Sequence, residues 1–262
     1  LAAALAIAVL MVATWLLSLV LRNASIVDVA WGLGFVVVAW TVRLTAHGNV
    51  ARQNLLTALV TVWGLRLAVY LFWRNHGKGE DFRYRAMRKQ WGARFPLVSL
   101  VTVFALQGTL MWIVSLGVQT AQTATAPDLG VLAAIGVALW FVGFLFEAVG
   151  DVQLARFKAD PTNEGRVMDR GLWGWSRHPN YFFEWLVWVA FALFAVSSPL
   201  GSLALACPAA MLYLLLQVTG IPATEAQAVL SRGDDYRNYQ ATTSMFVPWF
   251  PRQVTAGPLP GG

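Results

Sequence analysis

The sequence predicts an all-α, polytopic integral membrane protein, and three observations carry that assignment. Only 12% of the 262 residues are charged and 58% are hydrophobic, whereas roughly a quarter of a soluble domain is charged. The apolar residues gather in runs close to 20 long, the length that crosses a bilayer as a helix. A backbone in lipid must satisfy its own hydrogen bonds, which runs of this length do as helices.

Seven transmembrane helices are expected, over residues 1–21, 26–46, 54–74, 97–118, 129–150, 180–197 and 200–219. The first run, Leu1–Leu21, is interrupted only by Thr14 and Ser18. It is long, lacks a basic start and has no clear small-residue cleavage site, so it reads as a span and not as a signal peptide. The basic residues set the orientation. Seven Lys/Arg residues lie from Arg74 to Arg94 and five from Arg156 to Arg177; Arg232, Arg237 and Arg252 follow the last span, and the stretches 119–128 and 197–198 carry none. Placing the basic loops on one side puts the N-terminus outside and the C-terminus inside, with Arg43 and Arg52 as exceptions in outer positions. Ser197, Ser198 and Pro199 suit a tight outer turn, and the tail Gly257–Gly262 suits a frayed end. With no internal repeat and no linker, residues 1–262 read as one domain.

The composition also excludes functions. The one cysteine, Cys207, can form neither an intrachain disulfide nor a thiolate metal site. His47, His76 and His178 are scattered and no His-Glu-x-x-His pair exists, so no metal is expected. The basic loops suit anionic lipid headgroups; without a soluble domain to present them, nucleic-acid binding is not expected, and no obligatory protein partner is implied.

Two cytoplasmic segments are too polar to span. Residues 75–95 hold Gly77-Lys78-Gly79-Glu80-Asp81 and an Arg-rich aromatic stretch; residues 151–179 hold Asp160-Pro161-Thr162-Asn163-Glu164-Gly165. Loops of this length usually carry function. After the last span, Pro222 can open a helix with Glu225 one turn in, and Tyr236 and Tyr239 share a helical face.

The most informative stretch is Arg170-Gly171-Leu172-Trp173-Gly174-Trp175-Ser176-Arg177-His178-Pro179-Asn180-Tyr181, then Glu184, directly before an apolar run. Polar groups at the mouth of a span need partners or a task. Lys158, Arg166, Arg170, Arg177 and His178 gather cations suited to phosphate, and Trp173, Trp175 and Tyr181 interleave flat rings. Asn180 and Glu184 share a helical face and together offer the donor and acceptor that a carboxamide needs, as at the nicotinamide end of a dinucleotide. The plain alternative is a basic loop with an interfacial aromatic belt. No Rossmann site is present: Gly32-Leu33-Gly34-Phe35 lacks the third glycine and lies in an apolar helix. Inside the spans, Asp28, Arg66 with Tyr70 one turn on, and Glu147 with Asp151 are ionisable groups that lipid makes costly. Asp28 is the candidate acid, or else a salt-bridge partner of Arg22 or Arg66; Arg66 is alternatively the cation that neutralises Glu147 or Asp151.

On the pattern Gly171-Leu172-Trp173-x-x-Ser176-Arg177-His178-Pro179-Asn180-Tyr181-x-x-Glu184, the chain resembles the steroid 5α-reductase superfamily, in particular its bacterial members. The stretch is also similar to sterol C14-reductases and isoprenylcysteine carboxyl methyltransferases. The resemblance runs from Asp28 to Pro248 and is specific mainly from Glu147 onward. It implies seven transmembrane helices and NADPH, held by loops 75–95 and 151–179 and the segment 220–250. Position by position, it puts Asp151 at the adenosine end, Lys158 and Arg170 near the phosphates, Asn180 and Glu184 on the nicotinamide amide, and Tyr181 against the cofactor. Arg66 and Tyr70 match an Arg-x-x-x-Tyr pattern, which puts Arg66 in the implied cofactor set. Trp173, Ser176, Arg177, His178, Glu225, Tyr236 and Tyr239 complete the implied cofactor set. Asp28 stands where the family has a Glu that bonds the steroid ketone, and with Trp63 and Tyr70 it makes the implied catalytic set. The chain departs from the pattern in three places: Asp28 is one methylene shorter than Glu, Val27 replaces a Gln, and Trp63 replaces a Tyr.

The implied activity is NADPH-dependent reduction of a C=C bond conjugated to a carbonyl in a lipid that enters from the bilayer, foremost a 3-oxo-Δ4-steroid, in a multi-pass protein of a bacterial inner membrane. The alternatives are a reductase of unsaturated or methylene fatty-acyl lipids, an S-adenosylmethionine-dependent membrane methyltransferase, and a non-enzymatic lipid-binding protein or scaffold.

Overall fold

A computed structural model describes residues 1–125, 129–196, 198, 201–218 and 220–252. The turn expected over 197–199 lies, apart from Ser198, outside the described residues, as does the tail 257–262. Helices account for the regular structure among the described residues, with no strand. In chain order they are α1 (Ala2–Leu21), α2 (Ile26–Thr45), α3 (Val50–Asn75), α4 (Phe82–Trp91), α5 (Phe95–Ser99), α6 (Leu106–Val114), α7 (Leu116–Thr123), α8 (Gly130–Ala159), α9 (Pro179–Leu193), α10 (Gly201–Ala204), α11 (Ala206–Tyr213), α12 (Ile221–Arg232) and α13 (Asp234–Thr242).

Six runs among the described residues are long and apolar enough to cross a membrane: Ala2–Leu21, Ile26–Thr45, Val50–Asn75, Phe82–Val114, Gly130–Ala159 and Gly201–Arg232. The run expected over 180–197 is α9, with 15 residues, about 22 Å of helix against a hydrocarbon core of about 30 Å. α1 leaves Leu5, Val9, Leu16, Leu17 and Val20 exposed. An apolar face this continuous suits lipid, not water. The segment 75–95 is half helical, because the Asp81 side chain accepts the Arg83 N–H at 3.0 Å and caps α4. From there a 3₁₀ turn, α5, a π-helical stretch over Leu100–Ala105 and α6 follow one another.

The chain forms two compact units, Leu1–Val137 with Val189–Ala210, and Ala138–Trp188 with Met211–Gly262. In the first, α2 packs on α1 and α3. A Cβ added to Gly32 would lie 2.6 Å from the Gly64 carbonyl oxygen, and one added to Gly64 would lie 2.6 Å from that of Gly32. These glycines let two apolar helices cross backbone to backbone, as small residues do in membranes. α3 begins earlier than the sequence suggests because Asn49 caps it, its side chain accepting the Arg52 N–H at 2.9 Å. Arg52 is therefore not a surface-loop charge; it is 1% exposed in the first helical turn. Beside it, Gln53 donates to the Ala46 and Gln122 carbonyls at 3.1 and 3.0 Å, and Gln122 donates to the Thr57 hydroxyl at 2.8 Å.

In the second unit, Gly143 of α8 faces the Phe183 carbonyl of α9, where a Cβ would lie 2.8 Å away, and Phe146 stacks on Phe183 at 5.0 Å. Pro222 sits in the first turn of α12. Gly233, with φ of 56°, reverses the chain into α13, a conformation glycine adopts without a Cβ penalty. Tyr236 and Tyr239 pack with Ala228, Val167 and Val229.

Candidate functional site

Within the motif Gly171–Glu184, the stretch Leu172–His178 is fastened from two sides. On one side α8 holds it: the Leu172 N–H donates to the Gln153 side chain at 3.0 Å, and the Trp173 indole N–H donates to the Gly150 carbonyl at 3.0 Å. On the other, the C-terminal segment pairs with it. The Arg177 N–H donates to the Ser244 carbonyl at 2.8 Å and the Trp249 N–H to the Trp175 carbonyl at 2.9 Å. The Ser176 hydroxyl donates to the Phe246 carbonyl at 2.9 Å and accepts the His178 N–H at 3.1 Å. Tyr239 donates its hydroxyl to the Trp173 carbonyl. Burial pushes the Tyr236 phenol up to about 12, with the Glu225 charge adding to it; burial raises Tyr239 as well. Both stay neutral at ordinary pH.

The cations of the motif divide into two kinds. The Arg177 side chain, 9% exposed, donates Nε to Glu225 at 2.6 Å and Nη1 to the carbonyls of Thr243 and Gln240 at 2.6 and 3.0 Å. His178 Nε2 lies 3.2 Å from the same Glu225 oxygen, and Gln240 donates to the other one at 2.9 Å. Arg170, in contrast, is 78% exposed and only 4.0 Å from Asp169. With Arg166 it edges an open basin of about 520 Å³, which Asn238, Tyr239 and Thr242 also line. Lys158 is exposed at the end of α8.

Next to this fastened segment, Asn180 opens α9. Its amide nitrogen donates to Asp151 of α8 at 3.2 Å, and Asp151 and Glu147 are both buried. The Asn180 oxygen is buried and has no hydrogen-bond partner among the described residues, a state that native proteins rarely leave unexplained. Glu184 lies half-buried one turn further on α9. The Tyr181 ring stacks on His178, 5.5 Å between centroids and 7° between planes.

A second cluster belongs to the first unit. The Asp28 carboxylate accepts the Tyr84 hydroxyl at 3.2 Å and lies 3.4 Å from the Arg83 guanidinium. Gln107 donates to the Tyr84 oxygen at 3.3 Å, and Arg83 also pairs with Asp81 at 2.9 Å. The cluster is latched from behind. Glu80 accepts Arg88 through both oxygens, at 2.9 and 2.8 Å, and the Ala24 N–H at 2.8 Å; the Asp81 N–H donates to the Ser25 hydroxyl at 2.7 Å. Of the other residues expected here, Trp63 is fully buried with its ring 5.8 Å from Phe35, and Arg66 and Tyr70 are half-buried on α3. The Tyr70 ring lies under Arg74 at 5.6 Å. Tyr84 is the residue that sequence reasoning misses. It stands 56 positions from Asp28 in an Arg-rich stretch that looks like a solvated loop, and its only signal is an aromatic among charges.

Residues 14–243 match the model of a family described as protein of unknown function, DUF1295. An uncharacterized protein of Schizosaccharomyces pombe is 27% identical over 210 residues, which make up 69% of this chain and 60% of that protein. The chain therefore spans about 60% of the length of this curated relative. No solved structure matches the chain. The family match begins within α1 and ends just past α13, so it takes in Asp28, Tyr84, the whole motif and Glu225: the chain belongs to the DUF1295 family.

Proposed function

We propose that this chain is an NADPH-dependent membrane reductase of the steroid 5α-reductase superfamily. In this reading it reduces a C=C bond conjugated to a carbonyl in a membrane-dissolved lipid of the 3-oxo-Δ4-steroid class. The observation that carries the reading is Asn180. Its buried oxygen has no donor among the described residues while its nitrogen is committed to Asp151, so the site suits an N–H brought by a ligand. A carboxamide supplies one, and Glu184, one turn along the same helix, suits the second N–H of the same group. A leftover buried acceptor costs about 1–3 kcal/mol, which a matching ligand recovers. Exposed Arg170, Arg166 and Lys158 suit the phosphates of such a cofactor, and the Tyr181 ring offers an apolar face.

NADPH, when bound, supplies the hydride that this reduction needs. The chain's own contribution to the carbonyl is assigned to Asp28 and Tyr84. In its protonated form the Asp28 carboxyl accepts the Tyr84 hydroxyl and keeps its own O–H for the carbonyl oxygen, where growing enolate charge is stabilised by a donor fixed beforehand. Gln107 and Arg83 hold the pair in register. The reading includes α9 as a seventh crossing, the N-terminus outside and the basic segments inside, in a bacterial inner membrane.

The test is turnover by detergent-purified protein of a 3-oxo-Δ4-steroid with NADPH deuterated at the transferable position. The expected product carries deuterium at the β-carbon. Methyl transfer from S-adenosylmethionine, with no deuterated product, would overturn the reading.

A further inference from the structure

We infer that Arg177, Glu225 and His178 are positioning residues: they clamp the C-terminal segment onto the motif and set the Tyr181 ring beside Asn180, without touching the cofactor. The catalytic consequence rests on the function proposed above; the clamp itself does not.

The geometry is that of a helix-end cap reinforced by a carboxylate. α13 ends at Thr242, and the last carbonyls of a helix have no partner of their own. Arg177 reaches in with Nη1 to the Gln240 and Thr243 carbonyls, a cation at the negative end of the helix dipole. Its Nε is held by Glu225 from the first turns of α12, and the second Glu225 oxygen takes the Gln240 amide. One carboxylate thus ties α12, α13 and the motif to one guanidinium. The same Glu225 oxygen lies against His178, whose ring is parallel to Tyr181, and Asn180 is the residue between them. The side chains of Arg177, His178 and Glu225 are 9, 4 and 14% exposed. A guanidinium so covered, with Nε and Nη1 already committed, has little edge left for a phosphate; Arg170 at 78% does.

Hydrogen exchange on the ligand-free, detergent-purified full chain separates a clamp from a ligand set. Arg177→Lys keeps the charge but loses the planar fork, and Glu225→Gln keeps an acceptor for Arg177 while losing the charge. In Arg177→Lys, amides of 172–178 and 239–249 should exchange at least about tenfold faster, the scale of a lost hydrogen bond to a charged group. α1 to α3 should be unchanged, and Glu225→Gln should show a smaller effect in the same peptides. NADPH and NADH affinities should fall by the same factor in Arg177→Lys. Wild-type exchange rates in both ligand-free variants would overturn the clamp. So would a loss of affinity confined to NADPH, which would mark Arg177 as a phosphate ligand. If wild-type protein binds neither nucleotide, the proposed function fails while the exchange data still decide the clamp.

Discussion

Two Arg–carboxylate clusters, one in each unit, look alike in composition and differ in how fully they are satisfied. At Arg177–Glu225 the bonds are short, the groups are covered, and two further carbonyls take up the guanidinium. At Asp28 the guanidinium stands off at 3.4 Å and is shared with Asp81; one phenol completes the set, and the side chains remain 39 and 21% exposed. A saturated pair has nothing left to offer a ligand and acts as structure. A partly exposed acid whose cation stands off keeps room for a substrate atom beside it. The same logic separates Arg177 from Arg170 within a single motif.

The comparison can be broken by mutation. The largest expected effect is Glu225→Ala, which strands a buried guanidinium and should destabilise by about 3–5 kcal/mol in reversible unfolding; a change below about 1 kcal/mol would mean that the clamp is not the tight cluster it looks like. Next comes Tyr84→Phe. It should leave unfolding nearly unchanged while lowering turnover by about 10²–10³, and equal losses of stability and turnover would make the Asp28 cluster structural too. Gly64→Ala should cost about 1–3 kcal/mol by overpacking against the Gly32 carbonyl, measured by thermal unfolding, with the second unit's hydrogen exchange unaffected. The smallest effect concerns Glu80. Burial opposes its ionisation, but the Arg88 hydrogen bond and the Ala24 N–H outweigh it, so the carboxyl titrates below its ordinary 4.5. A folded value below the unfolded one means that this stabilisation is complete above about pH 4.5 and is lost as pH falls through the folded value. Glu80→Gln should flatten that part of the acid limb of a stability–pH curve; an unchanged limb would remove the latch.

Much of the helical frame is legible in the sequence because apolar runs and bilayer thickness share one length scale; six of the expected runs return as helices of spanning length. The motif is legible as a site because polar residues before an apolar run demand an explanation. Partners are not legible. Arg177 meets Glu225 48 positions away and Asp28 meets Tyr84 56 away, and periodicity within one helix says nothing of either. Helix starts shift for a similar reason: Asn49 and Asp81 extend α3 and α4 into stretches whose composition reads as loop. The Gly32-x-Gly34 pair lacks nucleotide-binding spacing, and only the crossing with Gly64 shows what Gly32 does.

Direct cofactor binding is the sharpest test of the reductase assignment: thermal unfolding of wild type and Asn180→Ala in detergent with NADPH, NADH or S-adenosylmethionine. We expect NADPH at 100 times its dissociation constant to stabilise wild type by about 2.7 kcal/mol, and Asn180→Ala to lose most of that shift at the same concentration. Stabilisation by S-adenosylmethionine in place of NADPH, or an NADPH shift that Asn180→Ala leaves intact, would contradict it.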